Sequence, residues 1–145
     1  MKRWGTRLHA ALYRLTRGRF LGRVGGQPVL LLETAGRRSG RRRTTPLQYL
    51  ADGEAFVVVA ANGGAPRAPA WWLNLCADPH ARVQVGPEIL DVGAREATGE
   101  ERAASTGEER AALWLQLAAA NRYLDRVARK AGWTLPVVVL TVPAR

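Results

Sequence analysis

One cysteine, Cys76, and two histidines, His9 and His80, are the only thiol and imidazole groups in these 145 residues. A single cysteine excludes an intrachain disulfide, so an oxidising compartment is not required. One cysteine with two distant histidines gives no zinc-ligand spacing, and no metal site is expected. No run approaches the ~18 apolar residues of a membrane-spanning helix. The basic start Met1-Lys2-Arg3 leads into no apolar core, because Arg7, Arg14 and Arg17 interrupt it. No signal peptide is expected, and the default address is the cytoplasm. The motifs G-x-G-x-x-G and G-x-x-x-x-G-K-[ST] are both absent, which disfavours Rossmann and P-loop nucleotide sites. A nucleophile–base pair is missing too. Cys76 is expected to be buried on its helix, His80 follows Pro79 with no evident partner, and Ser39 has no histidine near it in sequence. Acid–base hydrolysis is therefore poorly supported, and an enzyme built this way would rely on a bound cofactor.

Acid is the other shortage. The chain carries 22 Lys+Arg against 12 Asp+Glu, a net charge of +10. Residues 1–43 hold 12 of those bases and one acid, Glu33; residues 44–145 are close to balanced, with 10 bases and 11 acids. A global excess would point to nucleic acid, but a local one fits an anion site or an anionic surface equally well. With 47% hydrophobic and 23% charged residues the chain is expected to fold around a core.

Residues 3–18 read as an amphipathic helix, with Trp4, Leu8, Ala11, Leu12 and Leu15 on one face and Arg3, Arg7, Arg14 and Arg17 on another. Such a stripe packs on its own domain or lies peripherally on an anionic membrane, and the two roles are compatible. The expected division is residues 1–22 as this basic helix and 23–145 as one domain. Six strands are expected: Val29–Leu32, Thr44–Leu50, Ala55–Ala61, Arg82–Val85, Ile89–Ala97 and Pro136–Leu140. Asp52-Gly53 and Gly86-Pro87 mark hairpins, and the wholly apolar last strand belongs in the centre of the sheet. Hairpin spacing without regular helix alternation predicts a small antiparallel barrel. A short helix opens at Pro69 and ends by Asp78-Pro79. A longer one, Gly107 to Ala120, buries Leu113, Trp114 and Leu117 behind a capping box Thr106-x-x-Glu109. Thr98-Gly99-Glu100-Glu101-Arg102 recurs as residues 106–110, a surface elongation too short to be a repeat unit.

Two segments offer binding chemistry. Gly36-Arg37-Arg38-Ser39-Gly40-Arg41-Arg42-Arg43, between the first two strands, is a donor-rich cradle whose guanidinium forks suit phosphate and carboxylate. Asn62-Gly63-Gly64-Ala65-Pro66 allows close backbone approach and runs into the helix start Pro69-Ala70-Trp71-Trp72-Leu73-Asn74-Leu75, a second anion site.

The blocks Leu31-Leu32-Glu33-Thr34-Ala35-Gly36-Arg37-Arg38-Ser39-Gly40, Arg43-Thr44-Thr45-Pro46-Leu47, Gly63-Gly64-Ala65-Pro66 and Pro69 to Leu75, followed by Val83-Gln84-Val85 and Leu135 to Val139, resemble the deazaflavin (F420)-dependent nitroreductase family. The order and spacing hold over roughly residues 28–142. The resemblance implies a split β-barrel of the flavin-reductase type that binds coenzyme F420, usually as F420H2. It implies hydride transfer from C5 of the reduced deazaflavin to a hydrophobic acceptor: a quinone, an activated double bond or a nitro compound. F420 carries a phosphate and an oligoglutamate tail, so a tailed anionic cofactor accounts for the arginines better than FMN, the competing cofactor, with its single phosphate.

By that resemblance Arg37, Arg38 and Arg43 match basic positions that bind the tail, with Ser39, Thr44, Thr45 and Pro46 as neighbouring cofactor positions. Ala60, Ala61, Asn62, Gly63 and Gly64, and Ala70, Trp71 and Asn74 at the helix start, match positions near the phosphate and the ring. Gln48, Tyr49, Leu124 and Trp133 fall where the family shapes its substrate pocket, and Tyr123 is the candidate proton donor. The chain departs from the family pattern with Ala61-Asn62 in place of Ser-Lys, Gln48 in place of an aromatic, and Trp133 in place of Arg. Nucleic acid is disfavoured as a partner. Peripheral contact with the inner face of the cell membrane through residues 1–22, and a monomer or a homodimer, remain open. The non-enzymatic alternative is a basic protein that binds anionic lipid or nucleic acid through the same helix.

Overall fold

The computed structural model describes residues 23–24, 27–97 and 103–143. The helix expected over residues 3–18, with its membrane contact, and the first Thr-Gly-Glu-Glu-Arg copy lie outside the described residues. Eight strands are present among those described: β1 (Arg23–Val24), β2 (Gln27–Ala35), β3 (Arg42–Gln48), β4 (Leu50–Asp52), β5 (Ala55–Val59), β6 (His80–Val85), β7 (Glu88–Glu96) and β8 (Val137–Thr141). Three helices accompany them, α1 (Ala70–Ala77), α2 (Ala103–Ala120) and α3 (Leu124–Ala131), with a 3-10 turn at Asn62–Gly64.

All pairings are antiparallel. The order runs β1-β2-β6-β7-β8-β5-β4, and β3 pairs with the other side of β2. β3 and β4 are separated only by Tyr49. The chain therefore pairs with β2 before this residue and with β5 after it (Leu50 opposite Val57), and so joins the two ends of the sheet. A strand that changes partner at a bend is how small antiparallel barrels turn a corner. The Tyr49 ring meets Phe56 edge-on at 5.4 Å inside that corner. The six expected strands are all present; the second of them is divided at this bend, and the short β1 precedes them.

Strand alternation fills the two sides. Leu30 and Leu32 of β2, Val58 of β5, Val83 of β6 and Val138 and Leu140 of β8 form the barrel interior with Trp71 and Leu75 of α1. Val57, Val137 and Val139 face outward and are covered by Leu113 and Leu117 of α2 and Leu124 of α3. Residues 137–140 of β8 are thus buried on both faces between β5 and β7, which explains that apolar run. The predicted hairpins form with Gly53 at φ +60 and Gly86 at φ +58, backbone that glycine adopts without a Cβ penalty.

Two local expectations are corrected. Thr106 lies within α2, which already includes Ala103, so Thr106-x-x-Glu109 is not a capping box. The Ala103-Ala104 pair has high helix propensity and carries the helix upstream of Thr106. Glu109 instead takes both nitrogens of Arg95 on β7, at 2.7 and 2.8 Å, and this guanidinium holds its carboxyl below the usual carboxylate range. Trp114 is half-buried rather than fully inside, with its indole N–H donating to Asp125 Oδ1 at 3.0 Å. No helix among the described residues is long and apolar enough to cross a membrane.

Candidate functional site

The β2–β3 turn is built tightly. Gly36 N–H donates to Arg41 O at 2.8 Å, and Gly40 N–H returns to Gly36 O at 2.7 Å. A Cβ at Gly36 would stand 3.0 Å from Ser39 Oγ and 3.2 Å from Arg41 O, so only glycine fits without a shift. Gly40 has φ +71, and Ser39 Oγ accepts from Arg41 N–H at 3.2 Å. The turn is thus held by its own hydrogen bonds while the arginine side chains stay exposed.

Opposite the turn stands α1. Pro69 at φ −68 occupies its N-cap, and helical geometry leaves the Ala70 and Trp71 N–H groups without an intrahelical acceptor. The helix turns Trp71, Asn74 and Leu75 inward at i, i+3 and i+4. Trp71 is core and cleft wall together, since it packs in the barrel interior and borders the space in front of the turn.

Between turn and helix lies a cleft of about 720 Å3. Its walls contain Arg37, Arg38, Ser39, Arg43, Thr44, Thr45, Asn62, Ala70, Trp71 and Asn74, all anticipated from sequence. Gly36, Arg42 and Pro69 join them; they belong to the expected cradle and helix start but are not among the expected cofactor positions. Arg42 was one of three consecutive arginines, and sequence does not say which of them face the cleft. It begins β3, where its guanidinium reaches Glu33 Oε1 at 3.0 Å, whereas Arg41 stays in the turn outside the lining. The lining includes four arginines and no carboxylate.

The remaining anticipated residues are placed elsewhere. Pro46, Ala60, Ala61, Gly63 and Gly64 lie outside the lining. Asn62 has φ +47, a left-handed conformation that asparagine tolerates, and its Nδ2 donates to Arg67 O at 3.1 Å. Gly64 at φ +85 is buried against the Lys130 side chain of α3. Trp133 Nε1 donates to Ala65 O at 3.3 Å, tying the same segment to the end of α3. Tyr49 is packed in the barrel corner and Gln48 is exposed, while Leu124 belongs to the outer core under α2. Tyr123 is half-exposed; Arg122 donates to its hydroxyl at 2.7 Å, and the Arg122 and Arg126 guanidiniums lie 4.9 and 5.8 Å from its ring centre. None of Tyr123, Leu124, Trp133, Gln48 or Tyr49 borders the arginine cleft.

Two statements about reactive groups are also corrected. Cys76 is exposed, because it lies about 100° around α1 from Leu75, off the inward face. Partial burial of its sulphur, with Glu96 nearby, nonetheless pushes the thiol up from its usual value, away from the thiolate. Cys76→Ser is expected to leave activity and thermal midpoint unchanged in paired assays. His80 does have a partner: its Nδ1 stands 2.9 Å from Asp78 Oδ1, and its backbone N–H also reaches that oxygen. These bonds hold the Asp78 carboxyl below its usual value at an exposed helix end. No cluster of three potential metal ligands occurs among the described residues.

Guanidinium forks, a helix N-terminus and an indole wall fit a large anion that carries a ring, the chemistry of F420. The same architecture is found in an FMN-binding, pyridoxamine 5′-phosphate oxidase-related protein of Nostoc punctiforme, 14% identical, with a TM-score of 0.58 over 94% of this chain and 78% of that one. The fold is a split β-barrel of the flavin-reductase type.

Closer likeness gives the family. The F420H(2)-dependent quinone reductase family matches residues 4–142, and this chain belongs to it. An F420H(2)-dependent quinone reductase of Mycobacterium tuberculosis is 41% identical over 138 residues, 93% of this chain and 88% of that protein. A solved F420-H2 dependent reductase (FDR-A) is 32% identical, with a TM-score of 0.65 over 78% of this chain and 93% of its own. The protein is accordingly an oxidoreductase with F420 as its cofactor, which displaces both the FMN alternative and the non-enzymatic one.

Proposed function

We propose that this chain reduces a quinone with F420H2 and that the arginine cleft holds the cofactor. The observation that carries the reading is the convergence of Arg37, Arg38, Arg42 and Arg43 with the start of α1 on one cleft that Trp71 walls. Bound F420H2 supplies a hydride from C5 of its reduced ring.

In this reading Arg37, Arg38 and Arg43 grip the phosphate and tail carboxylates, with Arg42 sharing its charge between the ligand and Glu33. The free N–H groups at the start of α1 add a second set of donors. Thr44 and Thr45 offer hydroxyls along β3, and Trp71 offers an apolar face to the ring. Tyr123, outside the lining, takes no part. The quinone is favoured as acceptor by the family and by the 41% identical relative, which bears that activity in its name.

The test is anaerobic. F420 fluorescence is titrated with purified protein, and F420H2 oxidation is then followed with a soluble quinone, a nitroaromatic or neither. Saturable micromolar binding that weakens with salt, together with oxidation that depends on the quinone, is expected. An unchanged F420 signal at micromolar protein sinks the reading, and oxidation by the nitroaromatic alone replaces quinone as the acceptor.

A further inference from the structure

Two polar side chains are buried among the described residues, Thr34 of β2 at 2% exposure and Asn74 of α1 at 3%. They are bonded to each other: Asn74 Nδ2 donates to Thr34 Oγ1 at 3.1 Å. The other end of the same amide faces the arginine turn. Asn74 Oδ1 accepts from the Arg37 backbone N–H at 3.1 Å and from Arg37 Nη1 at 3.3 Å. Thr34, Arg37 and Asn74 come from a strand, a turn and a helix, so this chain of bonds stitches three elements together at the inner end of the cleft.

The chemistry of the donors fixes the orientation. Both Arg37 groups can only donate, so the amide atom facing them must be the oxygen. The NH2 end then points inward and needs an acceptor, since a buried donor left unpaired costs more than the bond gains. The Thr34 hydroxyl supplies that acceptor. A flipped amide would set NH2 against two N–H groups, so Arg37 sets the orientation and the Thr34 bond anchors the amide in it.

We propose that Thr34 is a positioning residue for the cofactor site: it locks the Asn74 amide so that Asn74 holds Arg37, backbone and guanidinium together, at the cleft wall. Thr34 touches no ligand in this scheme and acts entirely through Asn74. The inference rests on the reading of the arginine cleft as the F420 site.

The experiment compares Thr34→Val, which keeps the shape and removes the hydroxyl, with Thr34→Ser, which keeps the hydroxyl. F420 affinity is measured by fluorescence titration of the full chain, in the parent background and again with Arg37→Gln. Thr34→Val is expected to weaken F420 binding about tenfold, with Thr34→Ser restoring it to near the parent value. In the Arg37→Gln background the effect of Thr34→Val should shrink, because the guanidinium it positions is gone and only the backbone N–H contact to Asn74 remains. A merely structural role would lower affinity equally in both backgrounds, and that result overturns the proposal, as does parent-like binding by Thr34→Val. Should Thr34→Val fail to fold, Thr34→Ala, which also removes the hydroxyl, carries the test. F420 binding then falls in the parent background and falls less with Arg37→Gln; equal losses in both backgrounds overturn the relay. If the unmutated chain itself does not bind F420, the failure lies with the proposed function and not with Thr34.

Discussion

The triple variant Arg37→Gln/Arg38→Gln/Arg43→Gln binds F420 about a hundredfold more weakly than the parent chain, at ~1 kcal/mol for each exposed charge-assisted contact. All three side chains are exposed and border the cleft, so their loss leaves the core intact. The thermal midpoint is expected to stay within a few degrees, as for other surface changes. The salt dependence of binding flattens as well, since screening acts on the charges that have been removed. The control is Arg41→Gln, an equally exposed arginine of the same turn that lies outside the lining; it is expected to change affinity less than twofold. Fluorescence titration at two ionic strengths reads all of these. Equal losses for Arg41→Gln and for each of the other arginines would mean that net charge, not the cleft, governs binding.

The second large effect concerns stability. Leu32→Ala is expected to destabilise the fold by about 2–5 kcal/mol, a large share of the ~5–15 kcal/mol available to a domain of this size. Leu32 is fully buried in the barrel interior and lies opposite Thr45 on β3 and Val83 on β6, so the cavity opens between three strands. A fall of about 10 °C in thermal midpoint is the corresponding readout. Ile89, at 62% exposure, is the contrast: Ile89→Ala should shift stability by ~0.5 kcal/mol at most. A small effect at Leu32 would contradict its place in the barrel interior.

Both predictions begin in features visible along the chain, but unequally. The apolar run Val29-Leu30-Leu31-Leu32 reads as a strand, yet a run without alternation does not reveal which side chains enter the barrel. Closure of the sheet decides it. Leu30 and Leu32 join the barrel interior, while Val29 and Leu31 form a separate cluster on the other side. The arginine tract likewise declares an anion site but not its members. The register of β3 against β2 brings Arg42 and Arg43 to the cleft and leaves Arg41 in the turn.

Reactive groups show the same division. Cys76 reads as buried when α1 is judged by its apolar content. Its exposure follows from rotation about the helix axis, which Trp71, Asn74 and Leu75 fix by packing inward. The partner of His80 is only two residues away, but Asp78 reaches the ring because the chain leaves α1 in an extended conformation, with φ −145 at that residue. Tyr123 is the one tyrosine in a segment that is often Tyr-rich in the family, out of step with the usual register, and the fold sets it among Arg122 and Arg126 beyond the cleft lining.

What the sequence determined by itself was chemistry and local conformation: a concentrated cation excess, two glycine hairpins, a doubly apolar last strand, a helix opened by Pro69, and blocks ordered as in F420-dependent proteins. These follow from side-chain type and from backbone preferences that act over a few residues. Only the tertiary structure decided which arginines share a cleft, that β3 and β4 turn the corner of the barrel at Tyr49, and that Thr34 and Asn74, forty residues apart, meet in a buried hydrogen bond. Such pairings depend on the closure of the sheet and the seating of α1 against it, and burial then makes each unmet donor costly enough to fix its partner.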